Sequence, residues 1–341
     1  MPITSITSDP VALTMTLVGD YPVAVERLWQ AWTDPRQLER FWGPPQWPAR
    51  FTRLDMITSG RASYVMTGPD GERSRGYWVF VNVDEGRSFE VVDGFAADDG
   101  TPNDEMPTMH MKMVFEATET GARFSSVTLF PSIESMEQLA AMGMVEGATS
   151  AFGQMDDVLA DLASFAAGRA TESTILDDTT VRFTRVIRGT VDQVWQAHND
   201  AGMVSRWLLG PDGWTMPVCE VATAVGESYR FEWENEDGSG RFGFEGELLE
   251  STPPRRVVQT ERMIGTDGPS TRNELTLTPT VAGTLLTLVI TYPDRDLRDQ
   301  ILSTGMVDGM EVSYRRLESL NELADRRSEV RNPPGTQERS R

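Results

Sequence analysis

The sequence predicts an α+β fold built twice in tandem. Each copy is a curved antiparallel β-sheet wrapped around a long C-terminal α-helix, with two short helices near its N-terminus. Three observations carry this. Phe41-Trp42-Gly43-Pro44-Pro45-Gln46-Trp47 returns as Trp207-Leu208-Leu209-Gly210-Pro211-Asp212-Gly213-Trp214, so Gly-Pro-x-x-Trp recurs with the same spacing. Gly143-Met144-Val145-Glu146-Gly147 returns as Gly305-Met306-Val307-Asp308-Gly309, and Phe130-Pro131 as Tyr292-Pro293. Between these markers, short alternating apolar runs are separated by Gly-, Pro- and Asp-rich turns, as in hairpin-connected strands.

Residues 1–9 are polar and expected to be loose. Val11 to Val18 alternates as a first strand. Val25 to Trp32 is a short helix with Leu28, Trp29 and Trp32 on one face, closed by Asp34-Pro35 because a residue before proline disfavours helix. Strands follow around Tyr64 and Met66, Gly76 to Val83, Phe89 to Phe95, Thr108 to Ala117 and Arg123 to Phe130. One long helix is expected from Glu134 to Ala166, where Phe152, Met155, Leu159, Leu162 and Ala166 form a core-facing stripe. Gly168 to Asp178 reads as a linker. The order then repeats: a strand from Val181, a helix opened by the capping box Thr190-x-x-Gln193, a turn of helix from Met203 to Leu209, and five strands. The final helix carries Met306, Met310, Tyr314 and Leu317. The expected domains span 10–167 and 178–326, with a disordered tail over 327–341.

Composition excludes several function classes. The 341 residues carry 52 acidic against 31 basic side chains, a net charge of −21. Phosphate backbones and anionic lipid surfaces bind through basic patches, so neither nucleic acid nor membrane is an expected partner. The N-terminus lacks a basic region followed by an apolar run, and no apolar stretch approaches the roughly 20 residues of a membrane span. The single cysteine, Cys219, excludes an internal disulfide or a cysteine-based metal cage. A cytoplasmic protein without cofactor or metal is the plain expectation.

The pattern resembles the START/birch-pollen-allergen (SRPBCC) superfamily, and within it the bacterial proteins similar to the C-terminal domain of activator of Hsp90 ATPase. The residues that carry the resemblance are Val25-Glu26-Arg27-Leu28-Trp29 through Thr33-Asp34-Pro35, Arg40-Phe41-Trp42-Gly43-Pro44, Ser59-Gly60 into Tyr64-Val65-Met66, Gly68-Pro69-Asp70-Gly71, and the helix onset at Gly143 to Gly147. The resemblance implies two helix-grip domains, each with a cavity between sheet and helix. It leaves activity open, since the superfamily includes lipid carriers, receptors, cyclases and co-chaperones.

Strand alternation, with the two halves aligned on each other, assigns faces. Setting Tyr77 against Phe244 puts Trp78 and Phe80 opposite Glu245 and Glu247, and glutamates rarely face a core. Tyr77 and Phe244 are thus expected inward. Trp78 and Phe80 are expected on the outer face, either as a contact with the other domain or a second subunit or covered by a local loop. Met109 and Met111 point inward, and Asn273 stands where Met111 does. Tyr64, Met66, Phe95 and Phe152 in the first half, and Tyr229, Phe231, Trp233, Met263, Met310 and Tyr314 in the second, complete the candidate ligand-binding linings. Trp47 and Trp214 either line the cavity mouths or pack as core. Asp93 and Glu261 occupy matching positions in phase with Phe95 and Met263. A carboxylate inside an apolar cup would have a raised pKa and could serve as acid or base. His198 is expected to pack at a helix edge.

Two functions from different classes follow: binding of a small hydrophobic molecule in each cup, or a cyclase, aromatase or hydrolase using Asp93, Glu261 or Tyr229. A co-chaperone role comes only with the resemblance, and the chain has no counterpart of the N-terminal domain of the eukaryotic activators.

Overall fold

A computed structural model describes residues 3–161 and 170–331, with side chains to residue 320. The chain divides into two compact units, 1–167 and 168–341. In the first, β1 (Ile3–Asp9), β2 (Thr14–Tyr21), α1 (Val25–Thr33), α2 (Pro35–Leu38), β3 (Ala49–Leu54), β4 (Arg61–Thr67), β5 (Arg73–Asp84), β6 (Ser88–Ala96), β7 (Met109–Thr118) and β8 (Gly121–Leu129) precede α3 (Ile133–Ala141), α4 (Met144–Gly153) and α5 (Met155–Ala160). The second repeats this as β9 (Glu172–Ile175), β10 (Thr180–Ile187), α6 (Val191–Asn199), α7 (Ala201–Trp207), β11 (Trp214–Glu220), β12 (Ser228–Asn235), β13 (Arg241–Thr252), β14 (Arg256–Met263), β15 (Thr271–Thr280), β16 (Gly283–Thr291), α8 (Arg295–Leu302) and α9 (Met306–Arg331).

Both sheets are antiparallel and eight-stranded, and they share one topology. The orders are β1-β2-β8-β7-β6-β5-β4-β3 and β9-β10-β16-β15-β14-β13-β12-β11. Each domain is a helix-grip arrangement, with the core between sheet and helices.

Three stretches differ from the sequence-based expectation. Residues 1–9 contain β1, and 168–178 contain β9 rather than a plain linker. Both are edge strands paired on one side only, so they need no buried apolar face and show none of the alternation that marks a strand in sequence. Among the described residues, the long helix expected from Glu134 is three segments. Gly143 takes a left-handed φ of 84° and ends one helix before the next begins. Gly305, with φ 81°, does the same between α8 and α9. The repeated Gly-Met-Val motif is therefore a helix restart. Residues 162–166 of that expected helix, and 332–341 of the expected tail, lie outside the described residues; 327–331 continue α9.

The capping box at Thr190 is present: its side chain accepts from the Gln193 backbone N–H, and the Gln193 side chain accepts from that of Thr190. Thr190→Ala is expected to cost about 1 kcal/mol, read as a lower urea midpoint. An unchanged midpoint would show that packing alone sets this helix start.

Candidate functional site

A cavity of about 480 Å³ lies between the second sheet and α9. Its floor comes from alternate residues of neighbouring strands: Tyr229, Phe231 and Trp233 on β12, Phe242, Phe244 and Leu248 on β13, Gln259 and Glu261 on β14, and Asn273 and Leu275 on β15. Met306, Gly309, Met310, Ser313 and Tyr314 of α9 face it, with His198, Trp207 and the Leu208–Pro211 loop at the side. Strand periodicity of two puts the β12 rings on one face. They pass into a continuous row, with ring centroids 5.2 Å apart for Tyr229–Phe231, 6.2 Å for Phe231–Trp233 and 5.1 Å for the Trp233–Phe242 stack. Trp214 meets Phe242 edge-on at 5.0 Å.

Backbone bonds hold the cavity wall. Trp233 Nε1 donates to the Leu208 carbonyl at 2.6 Å, Trp207 Nε1 to that of Ala197 at 2.8 Å, and the Gly210 N–H to Ser313 Oγ at 2.9 Å. The polar pole is Glu261. The Tyr229 hydroxyl lies 3.2 Å from its carboxylate and 2.8 Å from the Thr260 carbonyl. Burial raises the Glu261 pKa, and hydrogen bonds from Asn273 and Tyr229 partly offset this. His198 Nδ1 lies 2.7 Å from the Val194 carbonyl, and burial lowers its pKa to about 4, so the ring is neutral at pH 7.

Of the residues expected from sequence, Trp214, Tyr229, Phe231, Trp233, Phe244, Glu261, Asn273, Met310 and Tyr314 line this cavity. Met263 does not; it ends β14 and is 45% exposed. Phe242, Trp207, Gln259 and His198 were missed as lining residues. For Phe242 a signal existed, since it shares the parity of Phe244.

The first domain brings its candidates together differently. Met109, Met111 and Phe152 are buried core, and Tyr64, Met66 and Phe95 pack half-buried against them. Trp47 is half-buried, its ring over Gly68. The expected outer pair is overturned: Trp78 and Phe80 are 0% and 1% exposed, while Tyr77 lies on the opposite face of β5. Hence Trp78 and Phe80 make no surface for a second domain or subunit. The cause is an offset of one residue. Gly76 pairs with Phe95, and Phe244 with Met263, so Gly76, not Tyr77, occupies the place of Phe244. The glutamates do face outward, but they match Tyr77 and Val79.

The corrected register also matches positions of the two sheets. Trp78 pairs with Asp93, and the register of β13 on β14 sets Gly246 opposite Glu261. The ladders likewise match Phe89 with Val257, Phe115 with Leu277 and Phe124 with Leu286. Four large aromatics of the first core thus become glycine or aliphatics. In the first domain Trp78 packs at 4.6 Å from Trp42 and 5.5 Å from Phe51, ring centre to ring centre.

A similar polar device forms in both, from tyrosines two residues out of step along the strands. Tyr64 lies across Gly76 and places its hydroxyl 3.2 Å from Asp93; Tyr229 lies across Gly246 and reaches Glu261. A Cβ at Gly76 would stand 2.3 Å from the Tyr64 ring, so glycine is what lets the ring cross. Asp93 is 7% exposed, and burial raises its pKa to about 7.

Among the described residues, no cluster of His, Cys, Asp and Glu could hold a metal ion, and no helix is long and apolar enough to cross a membrane. No curated protein matches the chain. Among solved structures, it is similar to protein Ms6760 from Mycobacterium smegmatis, with 42% identity over 46% of this chain and 97% of that one, TM-score 0.44. A protein from Arthrobacter aurescens shows 41% identity over 46% of this chain and 92% of that one, TM-score 0.45. DynU16, from the dynemicin biosynthetic locus, covers 91% of this chain and 99% of its own at 14% identity, TM-score 0.32. The profile described as activator of Hsp90 ATPase homolog 1-like protein matches residues 22–160 and again 188–322. With both domains matched, the chain belongs to the activator of Hsp90 ATPase homolog 1-like family, in two tandem copies.

Proposed function

We propose that this protein binds a small apolar molecule in the second-domain cavity. The observation that carries the reading is the 480 Å³ space between the second sheet and α9, lined by Tyr229, Phe231, Trp233, Phe244, Leu275 and Met310. That volume suits a drug-sized ligand, and a mostly apolar lining with a few convergent polar groups is what such sites present. The fold commonly binds hydrophobic ligands, which supports the same reading.

Gly309 offers a clean test. It lines the cavity from inside α9, and nothing lies within 4 Å of where its Cβ would be. Gly309→Phe is expected to fold, since leaving glycine favours the helix, and to occupy the cavity. Native mass spectrometry of protein purified without detergent should show a bound small molecule on the parent chain and none on the variant. A clean mass on the parent, unmoved by apolar acids, alcohols and amines, would overturn the proposal.

The raised pKa of Glu261 inside the cavity supports a second reading, acid–base chemistry on the bound molecule. In that case Glu261→Gln would retain binding and lose turnover; equal turnover in both proteins would exclude it.

A further inference from the structure

We propose that the ligand of the second-domain cavity is an organic amine, its apolar body lying along the ring row and its ammonium group on Glu261. This rests on the binding function proposed above and names the ligand's charge.

The cavity is polarised toward a cation. Among its described lining residues, Glu261 is the one carboxylate and there is neither lysine nor arginine. At the rim, Arg316 is spoken for by the Gly210 carbonyl and by Asp212, 2.6 Å away. His198 supplies no positive charge, because burial lowers its pKa to about 4 and outweighs the opposite effect of the hydrogen bond to the Val194 carbonyl.

Each class of ligand head meets this lining differently. A carboxylic acid would set a second carboxylate beside Glu261 in apolar surroundings with no cation between them, which costs both charges their hydration. A neutral alcohol could donate one hydrogen bond, without the gain of a charge-assisted one. An ammonium group donates to the carboxylate and relieves the burial penalty that Glu261 otherwise bears. The rings add to this. Tyr229, whose hydroxyl touches Glu261, begins the row that continues through Phe231 and Trp233, and a cation near aromatic faces is attracted by their quadrupoles. The same row receives an aromatic or aliphatic body.

The test is calorimetric titration of the full chain, at physiological salt to screen non-specific attraction to its net charge of −21. The probes share one skeleton: 1-naphthylmethylamine, 1-naphthalenemethanol and 1-naphthoate. The amine should bind about tenfold tighter than the alcohol, as a hydrogen bond to a charged group implies, and naphthoate weakest. Glu261→Gln, which keeps the shape, should bring the amine's affinity down to that of the alcohol, and a urea midpoint no lower than the parent's reports an intact domain. An alcohol or acid that binds as tightly as the amine overturns the inference and leaves the binding function standing. So does an amine preference that survives Glu261→Gln. Failure of all three probes to bind overturns both.

Discussion

Trp78→Ala is expected to destabilise the first domain by about 3–5 kcal/mol, the range for removing a fully buried large aromatic. Trp78 is 0% exposed and is ringed by Trp42, Phe51, Tyr64, Phe80 and Phe89. Neighbours held in rotamers by each other collapse only partly into the vacated space, so the cost includes the cavity as well as the lost transfer energy. Urea unfolding of the full chain, followed by the transition that Trp78→Ala moves, measures it. A loss below about 0.5 kcal/mol, the size seen for surface changes, would restore the outward placement of this tryptophan and undo the register of β5 on β6.

Asp93→Asn is expected to stabilise the first domain, and by more as pH rises. The carboxyl is held between Tyr64 and the aromatic core, and burial raises its pKa from 3.8 to about 7. The unfolded chain releases this proton near 3.8, whereas the native state keeps it until about pH 7. Between those values the unfolded state binds fewer protons than the native one, so stability falls as pH rises, and the penalty is complete above about pH 7. Asparagine carries no such proton, and its oxygen can still accept from Tyr64. The advantage of the variant over the parent should grow by about 2–3 kcal/mol between pH 5 and pH 8. Comparing the two proteins at each pH cancels the repulsion common to both. A difference that stays flat with pH would mean that Asp93 is hydrated and titrates as an ordinary carboxylate.

Much of the architecture was legible in the sequence, and for physical reasons. Two copies of Gly-Pro-x-x-Trp and of Gly-Met-Val-x-Gly announce duplication, since a repeated local motif needs no tertiary information to be seen. Tyr229, Phe231 and Trp233 alternate strictly with charged residues, so their common face follows from strand geometry alone. The outward glutamates of β13 were readable for the same reason. Asp93 and Glu261 could be matched because each stands two residues before an apolar one, Phe95 and Met263. What could not be read were the edge strands β1 and β9. Their backbone pairing with β2 and β10 calls for no particular side chains.

By itself, then, the sequence determined a duplicated α+β fold, placed the rings of β12 on one face, and matched Asp93 with Glu261 as candidates. Only the tertiary structure showed that the second cup is open. A strand's faces exchange with every single-residue step, so aligning Tyr77 rather than Gly76 with Phe244 was enough to turn Trp78 outward. The cavity, moreover, is a sum of volumes contributed by β13, β14, β15 and α9, residues far apart in the chain. Whether Phe244, Val257, Glu261 and Leu275 leave a space depends on their meeting across the sheet, and only the ladder that pairs those strands brings them together.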